Sequence, residues 1–232
     1  MTIGEIVSSI RELLNRGQPS DDSRWNEPYI YHNMKSVRAR LIKNKKDKFQ
    51  ELSPFTYQTL ECFPLDWTTL YDCPCYTVDC KYLVSRYDLP TILSYRNGLL
   101  IDSVRTLAGK KIDRLDLTEV EYNKYSKTKK DALGWFIHNN KLVVVGNSKL
   151  KVITVRAIFD DPLALADVPV CDVDGVESGD SCFNPRTEDF PIEQEMVNDL
   201  EMMVVEKIMK YGEKNLQDNE NNAKAREQNG KE

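Results

Sequence analysis

No run of about eighteen apolar residues occurs in the 232-residue chain, and its first residues lack the basic-then-apolar pattern of a secretory leader. The expectation is a chain made in the cytosol without a membrane anchor. Disulfides persist mainly in oxidising compartments, so a disulfide scaffold is disfavoured as well. The common catalytic signatures are missing: there is no G-x-S-x-G, no phosphate loop ending in Lys-Ser or Lys-Thr, no H-E-x-x-H and no G-x-G-x-x-G. Only two histidines, His32 and His138, are present, which leaves little for acid–base chemistry near neutral pH. Asp172, Asp174 and Glu177 in CDVDGVESGD resemble half of a calcium loop, but the D-x-D-x-D-G-x5-E pattern is incomplete. No catalytic residue, cofactor or metal is expected.

What the chain does have is a cluster of cysteines. Residues 73–80 read CPCYTVDC, with Cys62 upstream and Cys171 and Cys182 far downstream. Zinc needs four thiolate or imidazole ligands, and the six cysteines with two histidines could supply them. The spacing argues against it, because Cys73 and Cys75 are separated by one proline rather than forming a C-x2-4-C knuckle. In an extended segment they would share a face while Cys80 points away. Buried, reduced cysteines acting as small apolar side chains are the preferred reading.

The formal net charge of −5 hides an asymmetry. From Lys35 to Lys48 the chain carries Lys35, Arg38, Arg40, Lys43, Lys45, Lys46 and Lys48 against Asp47 alone. From Asp160 to Asp189 it carries Asp160, Asp161, Asp167, Asp172, Asp174, Glu177, Asp180, Glu188 and Asp189 against Arg186. Such runs are solvated faces, or opposite ends of one subunit that meet opposite ends of its neighbour. Trp25, Tyr29 and Tyr31 beside the basic run could stack bases, yet helical spacing explains them equally and the net acidity argues against a dedicated nucleic-acid binder.

The pattern along the chain predicts an α+β protein. TIGEIVSSIRELLNRG places Ile3, Ile6, Val7, Ile10, Leu13 and Leu14 on one helical stripe, with a Thr2/Glu5 capping box and Gly17 as terminator. After the linker QPSDDSR a second helix begins at Asn26, with Pro28 in its first turn and Ile30, Met34, Val37 and Leu41 on one face. Beyond Pro54 short β-branched and aromatic runs alternate with turns. Asn97-Gly98 and Asn139-Asn140 read as hairpin turns, and in KLKVITVRAIF Val152, Thr154 and Arg156 alternate with Ile153, Val155 and Ala157. A second capping box, Thr118 with Glu121, predicts a short helix between the hairpins. The expected organisation is an N-terminal helical pair over 1–53, a central antiparallel β-sandwich or barrel with a short helical insert over 54–160, a long loop over 161–190, a C-terminal helix over 191–212 and a flexible polar tail over 213–232. In that last helix Met202, Val205 and Met209 lie off the main stripe of Ile192, Met196, Leu200, Met203, Val204 and Lys207. A helix packed on one side needs no such width.

The opening TIGEIVSSIRELL, the junction DDSRWNEPYIYHNMKSVRARLIK, the passage VITVRAIFDDPLA and the stretch FPIEQEMVNDLEMMVVEKIM with trailing QDNENNA carry a family likeness. In these and in the order of its parts the chain resembles the head-tail connector proteins of tailed bacteriophages, most closely the neck ring proteins of crAss-like phages of Bacteroides. The resemblance implies a structural virion protein without enzyme activity, many copies of which form a ring below the portal around the DNA channel. Its implied partners are further copies of itself, the portal protein and other neck or tail ring proteins, with non-specific proximity to DNA and no membrane. Lys35, Arg38, Lys45, Met202, Val205 and Met209 are the expected interface residues. Two other readings are a zinc-stabilised nucleic-acid-binding module built on the cysteines and the basic helix, and an enzyme with an unfamiliar site.

Overall fold

Thr2 and Glu5 close a reciprocal pair of hydrogen bonds at the start of helix α1 (Ile3–Leu14). Thr2 Oγ1 accepts from the Glu5 amide at 3.2 Å and Glu5 Oε2 accepts from the Thr2 amide at 2.8 Å. Two donors that the helix leaves unpaired are thereby satisfied. The structure, a computed structural model, describes residues 1–15, 25–69, 81–96, 98–116, 119, 133–146, 149–166, 168 and 187–210. The chain divides into two units, Met1–Ser53 with Asn184–Glu232, and Pro54–Phe183.

In the first unit, α1 buries Ile3, Ile6, Val7 and Ile10 and ends at the cap Asn15, two residues before Gly17. Helix α2 (Glu27–Asp47) starts where Asn26 Oδ1 accepts the Tyr29 amide at 3.0 Å. It buries Ile30, Met34, Val37 and Ile42, while Leu41, expected on that face, is only half-buried. The end of α2 is a left-handed cap made without glycine: Phe49 holds φ 56°, its amide reaches Lys46 O at 3.0 Å, and the Gln50 amide reaches Lys45 O at 3.2 Å. Helix α3 (residues 194–210) buries Val197, Leu200, Val204 and Ile208. Ahead of it, Thr2 bridges Asp189 in antiparallel fashion, with Ile3 N to Glu188 O at 3.1 Å and Phe190 N to Met1 O at 3.0 Å. The segment expected as loop near residue 190 is therefore tied to the start of α1 by backbone hydrogen bonds. No described helix is long and apolar enough to cross a membrane.

The second unit is a closed seven-stranded barrel. Its strands are β1 (Gln58–Thr69), β2 (Lys81–Ser85), β5 (Ile101–Thr106), β6 (Lys111–Arg114), β7 (Gly134–His138), β8 (Lys141–Val145) and β9 (Val152–Ala157), in the order β1-β2-β8-β7-β6-β5-β9. Closure leaves the barrel itself without an open sheet edge to template association with another chain. All neighbours are antiparallel except β6 and β7, which run parallel, so the expected antiparallel barrel has one exception. Strand β1 reaches around a corner, pairing with β9 through Pro64 and with β2 from Leu65 onward. A bulge between Leu60 and Phe63, with Cys62 at φ 51°, inserts one residue opposite β9. The extra residue restores the phase, so that both Leu60 and Phe63 reach the core.

Strand β9 alternates as its sequence requires, with Ile153, Val155 and Ala157 buried between less buried neighbours. The core adds Leu65, Leu83, Val104, Ile112, Trp135, Leu142 and Val144, and Trp135 Nε1 donates to Ile112 O at 3.1 Å. On the opposite face of the same strands, Val84, Val143 and Phe136 form a buried cross-strand row. The Asn139-Asn140 turn holds φ of 48° and 60° between the paired His138 and Lys141, as its composition predicts. The other hairpin departs from expectation. In β3 (Ser94–Tyr95) and β4 (Gly98–Leu99), Tyr95 pairs with Gly98, so the turn closes one residue earlier and Arg96 takes the positive φ of 51°. A turn formed by Pro162–Leu165, capped where Asp161 Oδ1 accepts the Leu163 amide at 3.0 Å, begins the segment expected as a long loop.

Candidate assembly surface

The basic run of α2 separates into residues turned inward and residues at the surface. Arg38 is fully buried; its Nε donates to Pro191 O at 2.8 Å and its guanidinium lies 5.8 Å from the centroid of the Phe190 ring. Burial corrects the expectation that Arg38 contacts a neighbouring subunit, because it has no surface for a neighbour to touch. Its planar donor set instead joins α2 to the segment leading into α3. Lys45 is similarly engaged: its ammonium pairs with Glu193 Oε2, while Glu193 Oε1 accepts the Ser53 amide at 2.7 Å. Lys35 remains partly exposed, with Nζ 5.5 Å from the centroid of the Tyr31 ring.

Helix α3 presents the other expected residues. Its buried positions follow helical spacing, and outside that stripe Met202 is 64% exposed, Met209 39% exposed and Val205 half-buried. Single exposed apolar residues are ordinary, but two exposed methionines with a half-buried valine on the same face of one helix form an adaptable apolar surface. It is flanked by charge: Glu206 and Lys210 form an i,i+4 pair, and Lys207 Nζ donates to Ser36 Oγ at 3.0 Å. The Lys210 ammonium, helped by Arg40, holds the Glu206 carboxyl below its ordinary range.

Cys73, Cys75, Cys80, Cys171 and Cys182, the short helix expected from the Thr118/Glu121 capping box apart from Glu119, most of the acidic stretch and the polar tail lie outside the described residues. Cys62 is a free thiol, half-buried. Among the described residues no group of three or more His, Cys, Asp or Glu is arranged to hold a metal ion. Two features are absent from the sequence reading. The Glu193 clamp joins residues far apart in the chain and leaves no local signal. The cation-rich hairpin between β5 and β6 is marked by RTLAGKK, in which Gly109 takes φ 81°.

No curated protein matches the chain. A family model, Phage tail ring protein 2, matches residues 5–229. With nearly the whole chain covered, the chain belongs to that family of crAss-like phage ring proteins and has a structural role in the virion.

Proposed function

We propose that the chain is a subunit of a homo-oligomeric ring at the head–tail junction, connecting the portal side to the tail around the DNA channel. The observation that carries this reading, beyond family membership, is the surface of exposed Met202 and Met209 and half-buried Val205 on a helix whose opposite side is already buried. A closed ring joins unlike surfaces of neighbouring copies, so each subunit needs at least two distinct contact patches. The α3 surface is one of them, facing a second copy or the ring above or below. Lys35 sits at the rim of such contacts, where charge acts on encounter rate and salt sensitivity. Arg38 and Lys45 act indirectly, by fixing α3 and the exit from α2. Portal protein and other neck or tail rings are the partners that this position requires.

The test is native mass spectrometry of the purified chain together with a reconstruction of the virion neck. Closed oligomers and ring density at the head–tail junction are expected. Met202→Asn/Met209→Asn should shift the oligomer to monomer without loss of helical circular dichroism. A chain that stays monomeric at every concentration, or a virion in which it lies elsewhere than the neck, overturns the reading.

A further inference from the structure

The β5–β6 hairpin carries three cations at its tip. Arg105 and Lys111 are direct cross-strand partners, and Lys110 precedes Lys111 in the turn. All three are exposed. Arg105 Nε donates only to Ser103 Oγ, at 3.3 Å, and none of the three forms an ion pair among the described residues. Like charges directly opposite each other on paired strands oppose the pairing. A chain of net charge −5 has carboxylates to spare, yet Asp113, two residues beyond Lys111 on the same strand, lies within ion-pair range of none of the three. Between the cations Leu107 is 60% exposed.

The tip is also rigid. Thr106 N donates to Lys110 O at 2.9 Å, Gly109 N to Thr106 O at 2.8 Å, and Lys110 N to Thr106 Oγ1 at 3.3 Å. Gly109 supplies the positive φ of 81° that closes the turn. A preformed knob loses little conformational freedom on binding. An exposed apolar side chain between cations that form no ion pair among the described residues has the form of an interface anchor with a charged rim.

We propose that this hairpin tip, through Arg105, Leu107, Lys110 and Lys111, is the knob by which one copy of the chain engages an acidic face of a second copy. The proposal rests on the ring reading above and supplies the second contact patch that a ring requires. Charge complementarity selects the occupant, because the chain's own acidic run, with Asp160, Glu188 and Asp189 exposed, matches the hairpin's cations. Leu107 favours a protein surface over a phosphodiester backbone, whose binding gains little from an exposed leucine.

Mixed full-length protein, one population labelled with 15N, is allowed to assemble and is treated with a zero-length carbodiimide that joins amines to carboxylates. Expected are cross-links from Lys110 or Lys111 to Asp or Glu of the other isotopic population. Lys111→Thr should weaken assembly roughly tenfold in concentration while leaving the melting temperature equal or higher, since a like-charge pair is removed. Leu107→Ser should weaken assembly with an unchanged melting temperature. Rings that form normally without these cross-links, or with Lys111→Thr assembling as wild type, overturn the hairpin assignment and leave the ring reading intact. Wild-type protein that never assembles overturns both. Retained salt-sensitive binding of a fluorescent DNA duplex that disappears in Lys111→Thr, with assembly unaffected, assigns the tip to nucleic acid and overturns the proposal.

Discussion

Glu193 Oε1 accepts the backbone N–H of Ser53 at 2.7 Å, across 140 residues of sequence. The same carboxylate pairs with Lys45, and the two side chains are only 8% and 18% exposed. Glu193→Ala leaves a partly buried ammonium and a backbone donor uncompensated, so a loss of about 2–4 kcal/mol is expected. Glu193→Gln keeps an acceptor for Ser53 and should cost less, and adding Lys45→Met should recover part of that loss. Urea unfolding of the full chain measures the series. An unchanged midpoint for Glu193→Ala removes the clamp from the account of stability.

Phe49 occupies a position that favours glycine. At φ 56° it is the left-handed residue of the cap that ends α2, and its side chain is 85% exposed. Phe49→Gly relieves the Cβ crowding and adds back some unfolded-state entropy, for a net stabilisation of roughly 0.5–1 kcal/mol. Thermal unfolding reads this as a rise in midpoint. A fall instead would show that the aromatic ring holds more of the fold than its exposure indicates.

These two sites mark what the sequence could and could not convey. The α1 cap, the Asn139-Asn140 turn and the alternation of β9 rest on residues within a few positions of each other, and local chemistry set them correctly. Strand β1 was harder to see, because Pro64 and the bulge at Cys62 interrupt its alternation, and only pairing with both β9 and β2 makes it continuous. The parallel β6–β7 pair depends on topology rather than on any short motif. Among the expected interface residues, the exposure of Met202 and Met209 followed from their positions off the α3 stripe. The burial of Arg38 did not, since its partners Phe190 and Pro191 lie some 150 positions away in the chain. Charge alone does not tell a solvated arginine from one whose donors are used inside.

Asp66 and Arg86 make a two-pronged contact beside β1 and β2, with Arg86 Nε to Asp66 Oδ2 at 2.8 Å and Nη2 to Oδ1 at 3.1 Å. The hydrogen bond from Arg86 holds the Asp66 carboxyl below its ordinary value. A carboxyl depressed on folding contributes stability that is fully present above its unfolded pKa, about 4, and is lost as pH falls through the lower folded value. The wild type should therefore melt above Asp66→Asn at pH 7, and the gap should close as the pH is taken below about 3. Both side chains are about half exposed, so the gap is small and shrinks in high salt. A gap that widens on acidification contradicts the assignment.

Lys35 and Arg38 lie three residues apart on α2 and should fail in different ways. Arg38 is sealed inside the first unit, with Nε on Pro191 O and its guanidinium beside Phe190. Arg38→Met removes the charge but leaves the Pro191 carbonyl without this donor, and a loss of about 1–3 kcal/mol is expected from that orphaned acceptor. Arg38→Glu buries an unpaired carboxylate and should cost about 3–5 kcal/mol, enough to unfold the helical unit. Lys35→Glu changes a side chain that is only partly covered, and surface changes of that kind leave stability within about 0.5 kcal/mol. In the proposed ring its effect falls on assembly, slowing it at low salt and fading as salt is raised. Circular dichroism separates folding from native mass spectrometry of the oligomer. An Arg38→Glu protein that keeps wild-type helical signal yet fails to assemble would show that Arg38 acts at the surface after all.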